Sequence, residues 1–185
     1  MTEGNQMPET YQPVTDLPQA TTGQPEERFT ERDFHARTAA AWFNEVWRLM
    51  EKVGRTPTET DRMIHGAHAS RLHWEYVGDP VNWLVGEWQI SRVYVTLRRA
   101  DPALWHARRA VELAHEHKVV GFPLATTYEA MARALRLYPG EKEGVESWLG
   151  KARTLLAMLT DPEEKEVLAK DIASNEALAG ELRTP

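Results

Sequence analysis

The chain contains no cysteine. Disulfides, thiolate nucleophiles and sulfur-ligated zinc are thereby excluded. It has no apolar run approaching the roughly 20 residues of a membrane helix. No segment alternates apolar and polar residues convincingly enough for a strand. A glycine-rich phosphate loop is missing, and Ser70, Ser91 and Ser147 fall in helical patterns rather than in a strand–turn–helix elbow. "HEHK" at 115–118 is too short for the H-E-x-x-H zinc motif. Positive charge is also in deficit: 22 Lys and Arg face 28 Asp and Glu, a formal balance of −6. That balance disfavours nonspecific binding to nucleic acid or to an anionic membrane. "MTEGNQMPET" lacks the basic segment and apolar run of a secretory signal, so a cytoplasmic protein is expected.

What is present is a folded, helical composition. Hydrophobic residues make up 42% of the 185, and seven are tryptophan, which disordered chains lack. The length suits one domain. Residues 1–29 carry Pro8, Pro13, Pro18 and Pro25 among Thr, Gln and Glu without apolar periodicity, and are expected to form a flexible tail. The domain is expected over 30–181. "TERD" (30–33) and "TPTE" (56–59) are capping boxes, the second with proline at the first helical position. "DP" at 79–80, 101–102 and 161–162 and Pro123 mark further starts. Prolines 57, 80, 102 and 123 are spaced by 23, 22 and 21 residues, room for one helix and a turn each. Between these marks the apolar spacing is helical, as in Ala39, Trp42, Phe43, Val46, Leu49 and Met50. The expectation is an all-α chain of about seven helices.

Helix pairs recurring every ~40 residues are the mark of helical-hairpin repeats. "ISRVY" (90–94) and "ALWHARRA" (103–110) place Ile90, Ser91, Tyr94, Ala103, Ala107 and Ala110 in characteristic slots, so 82–117 resembles one tetratricopeptide repeat. "YEAMARAL" (128–135) with Val145, Leu149 and Ala152 resembles a second. Glu87 departs from the pattern where the first-helix tryptophan belongs, and His115 where the closing proline belongs. The pair over 31–76 matches only in period and amphipathicity. The wording "HASRLHW…GEWQISRVY" is also similar to a group of bacterial proteins of this kind, a likeness that implies no activity. The resemblance implies a degenerate tetratricopeptide-like array over about 31–160, closed by a capping helix at 162–180.

"MIHGAHASRLHW" (63–74) holds His65, His68 and His73. At 100° per residue His68 and His73 point about 140° apart, so one ion cannot take all three imidazoles. His65 and His68, with Asp61 nearby, form the alternative reading of a small metal-binding protein or enzyme. The preferred reading is a packing face, with His68 solvated and His73 buried against Glu45, Glu87 or Gln89. No cofactor and no metal are expected.

The expected function is a non-enzymatic interaction module that takes a protein or peptide, acidic in character, in a concave groove. First helices of such an array line that groove. They would bring Trp88 and Arg92, Arg133 and Arg136, and Asn44 and Arg48 together, an aromatic anchor beside guanidinium forks. Helix 3 is apolar on two sides, so a homodimer through its second face is the other alternative.

Overall fold

The computed structural model describes residues 30–181, with side chains through residue 178. The tail expected over 1–29 lies outside the described residues. Seven helices follow in order: α1 Glu31–Glu51, α2 Pro57–Val77, α3 Pro80–Thr96, α4 Ala100–Glu116, α5 Phe122–Leu135, α6 Lys142–Met158 and α7 Pro162–Glu181. No strand occurs among the described residues. An all-α architecture is therefore observed.

Local chemistry sets most of the starts. Thr30 and Asp33 form a reciprocal capping box at α1, and Thr56 and Glu59 another at α2. Asp79 and Asn82 do the same at α3, and Asp161 accepts from the backbone N–H groups of Glu163 and Glu164 at α7. Each such box satisfies backbone donors that the first helical turn leaves without partners. The "DP" at 101–102 behaves differently. Arg99 is the N-cap of α4 without a side-chain bond. Asp101 is thereby left to accept from the Tyr138 hydroxyl at 2.5 Å, tying the start of α4 to the turn after α5.

Consecutive helices pack on each other along the whole chain, and α1–α3, α3–α5 and α5–α7 also touch. The helices α2, α4 and α6 do not approach one another along their backbones, and α2 meets α4 through the rings of His68 and His106. Alanine makes the close approach possible: Ala103, Ala107, Ala110 and Ala114 of α4 are all fully buried. The largest cluster joins Val95, Val111, Met131, Leu149, Leu168 and Ile172, drawn from α3 through α7. A second joins Val46, Leu49, Met63, Ile90 and Val93 across α1, α2 and α3. Gly66 lets α1 approach α2: a Cβ there would stand 2.6 Å from the Trp42 ring.

Helix α3 is central, packing against α1, α2, α4 and α5. Its two apolar sides are used inside the chain, Val95 against the largest cluster and Val85 beside Leu84 and Leu113. The large hydrophobic side chains that remain exposed lie elsewhere, Leu72, Trp105, Val120 and Met158 among them. Among the described residues no helix is long and apolar enough to cross a membrane.

Candidate functional site

The odd-numbered helices share one side of the molecule, and a cavity of about 370 Å³ opens there. Its lining comes from α1 (Trp47, Met50), α3 (Arg92, Val95), the α3–α4 turn (Arg98), α5 (Arg133), the turn after it (Arg136, Leu137) and α7 (Leu178). One wall is apolar, and four guanidinium groups stand around the rest. Glu51 supplies a carboxylate at the same cavity.

Two of those arginines are neutralised by carboxylates. Glu129, fully buried on α5, accepts from Arg133 Nε at 2.7 Å and from Arg92 Nη1 at 3.3 Å. Arg92 Nη2 donates to Asp171 at 2.8 Å, and Arg133 Nη2 donates to the Asp171 carbonyl and to Ser174. Asn175, also fully buried, donates to Glu129 Oε1 at 2.9 Å. This network fastens α7 to α3 and α5. Burial is the main influence on Arg133 and pulls its pKa below the usual arginine value, with Glu129 opposing.

The other two arginines form no ion pair among the described residues. Arg136 donates through Nε to the Asn175 side-chain carbonyl, a neutral acceptor. Burial depresses its pKa, while Glu146 and Glu176 act on it without forming an ion pair. Arg98 forms no ion pair or side-chain hydrogen bond among the described residues, and its φ is +54°. The left-handed region costs a non-glycine residue roughly 1–2 kcal/mol. Glycine or asparagine would close α3 there with less strain. The turn instead carries a guanidinium into the cavity lining.

The sequence-predicted residues divide accordingly. Arg92, Arg133 and Arg136 are brought to one cavity. Trp88 is half-buried beside it, with its ring 5.6 Å from the Trp47 ring and Arg92 5.4 Å above its face. The Trp88 indole N–H is buried without an acceptor. Asn44 lines a separate cavity of about 170 Å³ with Ala40, Phe43, Trp74, Asn82 and Val85. Arg48 is exposed, lines neither cavity and pairs with Glu45 at 2.7 Å. Trp47, Arg98, Leu137 and Leu178 were not among the expected groove residues. The three-residue spacing of Trp47 from the expected Asn44 was the available signal for the first of them.

The histidines form two clusters rather than one. His73 is only part-buried, and its partner is none of those expected from sequence. Its Nδ1 lies 2.8 Å from Nδ1 of His35 on α1, and Tyr76 stacks on His35. Glu45 is taken by Arg48 and Arg62, Glu87 by Arg71 and His106, and Gln89 by the Phe43 carbonyl. His68 meets the Tyr94 hydroxyl at 3.1 Å, and its ring lies 5.2 Å from that of His106. His65 is exposed on α2. Among the described residues no three His, Asp or Glu side chains converge as a metal site.

Both clusters carry an acid signature. Burial, then the neighbouring histidine, lowers the pKa of His68 and of His73 below the ordinary 6.5. The unfolded chain therefore takes up protons first as pH falls through 6.5, and stability falls with it. Glu45 and Glu59, held at about 2 by hydrogen bonds from Arg48 and Lys52, titrate later, so their loss is confined below 4.5. Urea unfolding is expected to show a lower midpoint at pH 5.5 than at pH 7.5. His73→Gln is expected to flatten that difference in part, and an unchanged slope would exclude the His35–His73 pair as a source. Comparison with protein-family models, curated proteins and solved structures gives no match to this chain.

Proposed function

We propose that the protein is a non-enzymatic interaction module that holds an extended, acidic segment of a partner protein in the cavity of the odd helices. On this reading the helix pairs α1–α2, α3–α4 and α5–α6 are tetratricopeptide-like repeats. The odd helices are the concave side, α7 is the capping helix, and the setting is cytoplasmic. The observation that carries the reading is the charge accounting around the cavity. Arg92 and Arg133 are neutralised by Glu129 and Asp171, whereas among the described residues Arg98 and Arg136 form no ion pair and outnumber Glu51, the carboxylate of the lining. Trp47, Val95, Leu137 and Leu178 offer apolar surface beside them. A ligand carboxylate satisfies the guanidinium forks, and the apolar wall takes a neighbouring side chain.

The whole chain is negative, so attraction must come from these local charges and must weaken with salt. Fluorescence anisotropy of a labelled Leu-Glu-Leu-Glu-Leu-Glu peptide tests this against Leu-Gln-Leu-Gln-Leu-Gln. The glutamate peptide is expected to bind more tightly and to lose affinity as salt rises. Arg98→Ala and Arg136→Ala are each expected to weaken it about tenfold, near 1.4 kcal/mol, without altering the helical circular dichroism. Equal affinity for the two peptides, or indifference to both substitutions, contradicts the proposal.

A further inference from the structure

The two cavities of the odd-helix side lie on one stripe. On α1 the small cavity takes Ala40, Phe43 and Asn44, and the large one takes Trp47, Met50 and Glu51, the same positions seven residues on. On α3 the small cavity takes Asn82 and Val85, and the large one takes Arg92 and Val95, ten residues on. Seven and ten residues of helix are about 10 and 15 Å. Aromatic rings connect the two: Phe43 meets Trp47 at 6.4 Å between centroids, and Trp47 meets Trp88 at 5.6 Å.

The two ends differ in chemistry. The small cavity contains no charged residue, and Ala40, Phe43, Trp74 and Val85 make it chiefly apolar. The large one carries Arg98 and Arg136, which form no ion pair among the described residues, with Glu51 as the one other charged group of its lining outside the Arg92–Arg133 network. A polyproline-type segment returns a side chain to the same side every three residues, about 9 Å apart. A β-extended one does so every second residue, so positions four apart are about 13 Å from each other. Both distances match the separation of the cavities.

Resting on the proposed groove, we infer that its ligand is a two-point motif: an apolar side chain for the small cavity and a carboxylate three or four residues away for Arg98 and Arg136. Capped, labelled serine-based peptides with one leucine and one glutamate test it, at separations of one, three, four and seven and in both orders. Separation three or four, in one order, is expected to bind at least tenfold more tightly than one or seven. Ala40→Trp and Asn44→Trp, both at exposed positions, fill the small cavity independently. Each is expected to abolish the spacing preference, with folding checked by circular dichroism. Arg98→Ala is expected to weaken every peptide alike. Binding that depends on Arg98 but ignores spacing and both tryptophan substitutions overturns the two-point motif and leaves the groove standing. So does failure of the three- and four-spaced peptides at concentrations where Leu-Glu-Leu-Glu-Leu-Glu saturates. Failure of that alternating peptide as well overturns both.

Discussion

Replacing Glu129 by glutamine is expected to cost about 3–5 kcal/mol of folding stability, the range for breaking a buried ion pair from one side. Glu129 is fully inaccessible and accepts from Arg133, Arg92 and Asn175. Glutamine keeps the shape but removes the charge and turns half of the acceptor group into a donor facing guanidinium N–H groups. Arg133, itself 7% exposed, then holds a buried charge with no carboxylate to neutralise it, only the glutamine, the Asp171 carbonyl and Ser174 as neutral acceptors. Arg92 keeps Asp171, so the loss falls chiefly on Arg133. Because the same network fastens α7, amide exchange in α7 is expected to accelerate more than in α2. Urea unfolding with a change below about 1 kcal/mol would show that the network contributes little to the fold.

Glu87→Ala is the second large effect, at about 2–3 kcal/mol. Its carboxylate receives Arg71 Nε at 3.0 Å on one oxygen and His106 Nδ1 at 2.7 Å on the other. It therefore links α2, α3 and α4. Both partners are mostly buried, with side chains 16% and 12% exposed, so neither recovers full hydration when the carboxylate is removed. The aliphatic stem of Arg71 is also committed, since Gly86 leaves it only the space of a missing Cβ. Glu87→Gln, which retains an acceptor for one partner, is expected to lose less. Equal losses for the two variants would assign the effect to the lost charge alone, with no share for packing or for the remaining neutral acceptor.

Glu87 also shows where the sequence was legible. Its place in the pattern was readable as a departure from an aromatic slot, but its partners were not. Arg71 and His106 lie 16 and 19 residues away on different helices, and only packing brings them to one carboxylate. Helix existence was read well because capping boxes at Thr30 and Thr56 and prolines at first positions act locally. The start of α4 shifted because Asp101 found a tertiary partner in Tyr138 and left the cap to Arg99. Periodicity grouped Arg92, Arg133 and Arg136 on one side, but it could not divide neutralised from unneutralised charges. That division depends on Asp171 and Asn175 of α7, more than 30 residues away from their partners. Arg98 escaped notice because it belongs to a turn, where a helical wheel assigns no face. His73 was misplaced for a similar reason, since α1 presents His35 to it across 38 residues.

The location of a bound acidic segment is the most direct measure of the account. Seven tryptophans give seven indole N–H signals in a nitrogen-15 spectrum of the full chain. On titration with Leu-Glu-Leu-Glu-Leu-Glu, the Trp47 signal is expected to move most, followed by that of Trp88 at its ring contact. Trp105, 60% exposed on α4, and Trp148, packed beside Tyr128 on α6, are expected to stay in place. Saturable shifts confined to Trp105 or Trp148, with Trp47 unmoved, would contradict a binding site among the odd helices.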